Sequence, residues 1–282
     1  MKLDAHQHFW EYNIAEYGWI GEEMKAIRQS FLPQDLEPIL VQSGLDGCIA
    51  VQARQSLTET EWLLQLADRH ECIKGVVGWV DLCSDEVRNQ LELFASNPYL
   101  KGVRHVVQDE PDLQYVLREG FQRGISLLKE FDLAYDLLVS KEQLPYAVEL
   151  VKAFPEQRFV LDHLAKPDIK SGILSPWKEA LESLAAQPNA YCKLSGMVTE
   201  ADWKNWTPND FTSYLNIAIE AFGADRLMFG SDWPVSNLSA TYSDVYGLIM
   251  NHINTLPISD QQMILGGTCA AFYQISQWAI RS

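Results

Sequence analysis

His6 and His8, one residue apart in the run Leu3-Asp4-Ala5-His6-Gln7-His8, are the first residues of the chain able to do chemistry. On a β-strand, where side chains alternate from face to face, both imidazoles point to the same side. Two neutral imidazoles aimed at one point can grip a divalent metal. A second candidate lies far along the chain, in Gly230-Ser231-Asp232-Trp233-Pro234. Pro234 cannot continue a ladder, which leaves Asp232 at a strand end. A carboxylate there can bind a metal, accept a proton from a water, or do both in turn. Ion pairing of Asp232 with Arg104 or Lys193 is the structural alternative. A lone His-x-His recurs by chance, so the elements that carry these residues decide their meaning.

Those elements alternate. After the opening run, Phe9 to Phe31 is long, irregular and aromatic, with Trp10, Tyr12, Tyr17, Trp19 and Ile20. It reads as a loop over a site mouth or as a packed flap, and aromatic faces also suit a sugar ring. Apolar runs centred near Leu3, Ile49, Val76, Val103, Tyr135, Val160, Cys192 and Met228 make eight strands. Helical spacing predicts helices over Leu32 to Ser43, Ser56 to His70, Ser84 to Ala95, Gly120 to Phe131, Glu142 to Phe154, Pro176 to Ala186, Asn209 to Phe222, Ser243 to Asn254 and Asp260 to Ile275. Apolar strands that alternate with helices make a parallel sheet covered on both faces. Eight such units point to an α/β fold, a single (β/α)8 barrel over residues 1 to 282, with a doubly wound open sheet as the alternative.

In such a barrel chemistry lies at the C-terminal ends of the strands. The residues there are His6 and His8; Gln52 and Arg54; Trp79 and Asp81; Arg104 and His105; Tyr135 and Asp136; Asp162, His163 and Lys166; Lys193 and Ser195; and Ser231, Asp232 and Trp233. Ionisable groups in an apolar barrel mouth need partners or a metal to offset desolvation. His6, His8 and Asp232 are the candidate metal ligands, and Asp232, His163, Arg104 and His105 the candidate catalytic groups. Arg54, Trp79, Tyr135, Lys193 and Trp233 are the candidate substrate contacts. Each has a plainer reading: His105 or His163 as a hydrogen-bonded core histidine, Trp79 and Trp233 as packing.

The charge balance of 22 basic against 38 acidic residues, net −16, opposes binding to nucleic acid or to an anionic membrane surface and favours a neutral substrate. The five cysteines are scattered without a C-x-x-C pair and read as reduced core residues. No stretch is long and apolar enough to span a bilayer, so a cytoplasmic protein is expected, and a homo-oligomer is compatible with all of this.

Asp4-Ala5-His6-Gln7-His8, Asp162-His163-Leu164-Ala165-Lys166-Pro167 and Gly230-Ser231-Asp232-Trp233-Pro234 together resemble the amidohydrolase superfamily. So does the closing Gly266-Gly267-Thr268-Cys269-Ala270-Ala271-Phe272-Tyr273. Within it, Val51 to Ser56, Gly75 to Leu82 and Lys101 to Asp109 extend a likeness to the sugar-lactone hydrolases of the L-fuconolactonase and L-rhamnonolactonase type over essentially the whole chain. The resemblance implies a distorted (β/α)8 barrel in which His6, His8 and Asp232 bind one divalent metal, commonly zinc, with His163 beside the water or carbonyl. The chain departs from binuclear members, having Arg104-His105 in place of a bridging lysine and Tyr135 and Asp136 in place of a strand-five histidine. One metal is therefore expected, and some lactonases of this broad group work with none.

The implied activity is opening of an aldonolactone to the sugar acid, with Asp232 as base and Arg104, His105 or His163 stabilising the oxyanion. The rivals are a metal-dependent decarboxylase with the same His-x-His and strand-eight Asp, a pyrone dicarboxylate lactonase, which would want several convergent arginines, and a non-catalytic sugar-acid-binding barrel.

Overall fold

The computed structural model describes residues 1–275. The eight apolar runs form one parallel sheet in the order β1 to β8: Leu3–Gln7, Gly47–Val51, Ile73–Gly78, Leu100–Val106, Ala134–Leu138, Phe159–Leu161, Ala190–Leu194 and Leu227–Phe229. The sheet is nearly closed. Across the seam, Asp232 N donates to His6 O at 2.8 Å and His8 N to Trp233 O at 2.7 Å, just beyond the end of β8. Helices α1 to α8 follow the strands in turn: Pro33–Ser43, Leu57–Arg69, Val87–Phe94, Glu119–Leu128, Leu144–Ala153, Trp177–Ala185, Pro208–Phe222 and Tyr242–Ile253. This is the (β/α)8 architecture that the alternation predicts, and each helix ends within a few residues of its expected bounds.

Period-two alternation sorts the strand residues. Leu3, Ala5, Ile49, Val51, Val77, Ala134, Val160 and Met228 pack inside the barrel, while neighbours such as Cys48, Tyr135 and Phe159 pack outward under the helices. A bulge interrupts β1, where Asp4 to Gln7 spans only Cys48 to Ala50 of β2. It rephases the strand, so Ala5 and His6 both turn inward. Asp4 stays outside and stitches the seam: its carboxylate accepts from His6 N, Ser231 N and the Tyr242 hydroxyl at 3.1, 2.9 and 3.0 Å.

The last helix departs from expectation. In place of one helix over 260 to 275, the chain forms Ile258–Gln262, a wide turn over Met263–Gly267 and Thr268–Phe272. Gly266 takes φ +157°, and a Cβ there would lie 2.5 Å from Met1 O. The segment bends to pass under the start of β1 and delivers Tyr273 into the barrel. None of the described helices is long and apolar enough to cross a membrane.

Candidate active site

At the C-terminal mouth of the barrel lies a cavity of about 410 Å³, near the small end of the range typical of small-molecule pockets. Its floor holds His8, His163, Asp232 and Arg104, and its walls include Trp19, Arg54, Gln55, Gln108, Asp109, Glu110, Lys166 and Thr199. Trp19 is the only member of the aromatic 9–31 segment among the lining residues; Trp10, Tyr17 and Ile20 are buried packing.

His6, His8 and Asp232 converge as the sequence predicts. His6 Nε2 and His8 Nε2 are 3.2 Å apart, and Asp232 Oδ1 is 3.8 Å from the first and 3.4 Å from the second. His8 Nδ1 is 2.8 Å from Val51 O, an acceptor only, so it carries the proton and leaves Nε2 as a lone pair. His6 Nδ1 lies 3.2 Å from the Asp162 carboxylate, and burial pushes the His6 imidazolium well below its usual range. Two imidazole nitrogens and a carboxylate oxygen therefore face one point; Arg104 Nη1 is already within donating distance of His6 Nε2, and a divalent cation among the three would relieve the repulsion that remains. Metal–ligand bonds of about 2.0–2.1 Å in tetrahedral geometry would set such donors about 3.3 Å apart, close to the separations found. The residues fit a divalent cation, and an acceptor behind each imidazole is the usual outer support of metal-binding histidines. Two protein cations flank His6: Arg104 Nη1 lies 3.3 Å from its Nε2 and Lys193 Nζ 3.3 Å from its Nδ1.

The backbone that presents these groups is costly. His163 to Lys166 run through φ of 53°, 51°, 58° and 52°, and Asp232 has φ 56°. Left-handed backbone costs an L-residue about 1–2 kcal/mol, and such outliers collect at functional sites. The turn is held by Lys166 N donating to His163 O at 2.8 Å and Trp177 Nε1 donating to Leu164 O at 2.6 Å. Gly196, at φ +62°, makes room for the His163 ring: a Cβ would meet its Nδ1 at 2.3 Å. His163 Nδ1 is 2.9 Å from Ser195 Oγ, and its Nε2 is 3.9 Å from Asp232 Oδ1. Burial lowers the His163 pKa to about 4, so the ring is neutral at pH 7. Burial opposes the charge on Asp232; positive charge on the imidazoles, His163 first, and a hydrogen bond from His8 favour it, so its carboxyl lies below the usual carboxylate range where those rings carry protons. Asp232 pairs with neither Arg104 nor Lys193, its structural alternatives.

Besides His6, which is buried behind the lining residues, five predicted site residues lie outside the cavity. Lys193 is fully buried one layer down, with Nζ 2.5 Å from Asp136 Oδ2 and 3.0 Å from Asp162 Oδ1. Tyr135 faces outward between Phe121 and Phe159, because on β5 it is Asp136 that turns in. His105 likewise faces outward, stacked on Tyr115, since its neighbour Arg104 takes the inward position on β4. Trp79 donates its indole N–H to His105 Nδ1 at 3.3 Å and does not reach the cavity. Trp233 is packing against Phe9 and Phe31, as its plainer reading had it. In their place stand Gln55, Gln108, Asp109, Glu110 and Thr199, in loops or in the short helical turn Val107–Asp109, where no periodicity marks them.

The lining cations are spoken for. Arg54 pairs with Glu16 at 2.8 Å, Arg104 with Asp162 at 3.0 Å and Lys166, more loosely, with Glu200 at 3.7 Å. The carboxylates Asp109, Glu110 and Asp232 face the same space.

Comparison with known proteins agrees with this geometry. The amidohydrolase family model matches residues 3–275. The chain is 38% identical to an L-fucono-1,5-lactonase of Burkholderia multivorans, over 98% of this chain and 97% of the relative. It is 36% identical to an L-fucono-1,5-lactonase of Burkholderia ambifaria, over 98% and 96%. A crystal structure of an amidohydrolase from Burkholderia multivorans with bound zinc superposes with a TM-score of 0.95 at 38% identity, covering 98% of this chain and all of that one. A full-length family match, two close relatives and a near-identical barrel lead to one conclusion: the chain belongs to the amidohydrolase family.

Proposed function

We propose that the protein hydrolyses a sugar lactone, an aldonolactone of the L-fucono- or L-rhamnono- type, to the open-chain sugar acid. The observation that carries this reading is the convergence of Asp232 with three imidazoles on the floor of a cavity whose cations are already paired. A neutral ester suits such a cavity, whereas the acids taken by decarboxylases or pyrone dicarboxylate lactonases would need an unpaired Arg or Lys. The 36–38% identity to two L-fucono-1,5-lactonases supports the same class.

Asp232 is ionised across the working pH range and is the base of the reaction. It takes a proton from the water that adds to the ring carbonyl. With Ser195 Oγ donating to His163 Nδ1, the His163 proton sits on Nε2, where it donates to the carbonyl oxygen as negative charge develops. Asp232 then returns its proton to the ring oxygen as the C–O bond breaks. A carboxylate is a weak base toward ordinary water. A divalent ion held by His6, His8 and Asp232, zinc as in the Burkholderia multivorans structure, supplies the missing acidity and polarises the carbonyl when bound. Arg104, with both terminal nitrogens engaged, positions His6 and Asp162.

A pH-indicator assay over 1,4- and 1,5-aldonolactones, with and without chelator, tests the reading. Acid release that chelation abolishes is expected. No acid from any lactone, or gas release from an aromatic acid, would overturn it.

A further inference from the structure

Glu110 lines the cavity, and its position is set by a chain of two hydrogen bonds. The Trp79 indole can only donate, so His105 Nδ1, 3.3 Å away, must accept. That fixes the proton of the neutral ring on Nε2, which donates to Glu110 Oε1 at 2.7 Å. The stack of His105 on Tyr115, with centroids 5.0 Å apart and Phe121 at its edge, holds the ring in place. One Glu110 oxygen is thus committed, and the other has no hydrogen bond among the described residues. Gln108, which also lines the cavity, has its Oε1 buried without a partner among the described residues. Gln55, also in the lining, spends its carbonyl oxygen on Val106 N at 2.9 Å, which leaves its amide hydrogens to donate.

Unused acceptors in a partly dry wall reject a ligand that brings no donors and strongly favour one that does. A lactone carbonyl and ring oxygen are acceptors only, so these groups cannot be there for the reacting ester. We propose that Glu110, oriented by His105 and Trp79 and assisted by Gln108, selects the substrate by accepting hydrogen bonds from ring hydroxyls remote from the ester. The carboxylate makes neighbouring hydroxyls, which can share its oxygens, the preferred partners. His105 and Trp79 are positioning residues that act through Glu110. This assignment rests on the lactonase reading and deepens it.

The test compares kcat/KM for L-fucono-1,5-lactone with that for δ-valerolactone, the same ring without hydroxyls, in wild type, Glu110→Gln and Trp79→Phe. Wild type should prefer the hydroxylated lactone. Glu110→Gln should cut that preference about 10- to 100-fold, chiefly through KM, as loss of a charged hydrogen bond would. Trp79→Phe should cut it less and in the same direction, with thermal melts showing both variants folded. A merely structural role would lower both substrates alike and leave the ratio unchanged, which would overturn the assignment. So would a wild type that hydrolyses both lactones without preference, and in that case the lactonase reading survives. A wild type that hydrolyses neither removes both.

Discussion

Two layers of polar side chains are stacked inside this barrel, and they are satisfied in opposite ways. In the lower layer, Lys193 bridges Asp136 and Asp162, Arg104 takes the other oxygen of Asp162 and the carbonyl of Gln52, and the Tyr273 hydroxyl donates to Asp136 at 2.8 Å. Two cations meet two anions, so the charges balance within the protein, although Asp162 Oδ1 and Arg104 Nε are left without a hydrogen bond. In the upper layer, His6 and His8 present lone pairs to each other beside the Asp232 carboxylate. Both layers are desolvated to a similar degree, so burial does not distinguish a structural network from a site. What distinguishes them is whether the groups can satisfy one another without a ligand.

Asp232→Asn, in the upper layer, should lower kcat by about 10³-fold, within the range of a lost general base, with the melting temperature nearly unchanged. Steady-state rates and a thermal melt check both, and retention of more than a tenth of the activity would remove Asp232 as base. Lys193→Met, in the lower layer, should behave in the reverse sense. It leaves Asp136 without a cation and Asp162 with Arg104 alone, and should cost about 3–5 kcal/mol of stability in a denaturant titration. A loss under 1 kcal/mol would mean the layer is not held by its charges.

A smaller effect is expected at the rim. Glu59 accepts from Ala53 N and Arg54 N, each at 2.9 Å, and from the Tyr17 hydroxyl at 3.1 Å, tying the β2 exit loop to the aromatic segment. Burial pushes its carboxyl up to about 7. The native state therefore keeps a proton that the unfolded chain releases near 4.5. This group's contribution declines as pH rises from about 4.5 to 7 and is flat above that. At 1.36 kcal/mol per pKa unit the decline is on the order of 3 kcal/mol. In Glu59→Gln the fall in melting temperature over that window should be shallower than in wild type; parallel curves would contradict the assignment.

Much of this was legible in the sequence, for a physical reason. Strands buried on both faces must be apolar, so His6, Arg104, Asp162 and Asp232 stand out where such runs end. Two things were not legible. In the pairs Arg104-His105 and Tyr135-Asp136, alternation sends one member into the barrel and the other under the helices, and the sequence alone does not say which. Depth was the other: Lys193 sits below the cavity floor and Ser195, two residues on, beside His163. The loop residues Gln55, Gln108 and Glu110 carry no periodic signal, and their role emerges only from hydrogen bonds already used or still free. The bulge in β1 was hidden too, although the shared direction of His6 and His8 came through.

On this reading the upper layer is built to take one divalent metal ion, whereas the lower layer carries its own two cations and takes none. Equilibrium dialysis of the chelator-stripped protein against zinc, with metal analysis of wild type and of a His6→Asn/His8→Asn variant, tests it most directly. One zinc per chain is expected in wild type, with a loss of affinity of more than about 100-fold in the variant, beyond the effect of losing an outer partner alone. Two zinc ions per chain, or one bound equally well by the variant, would contradict it.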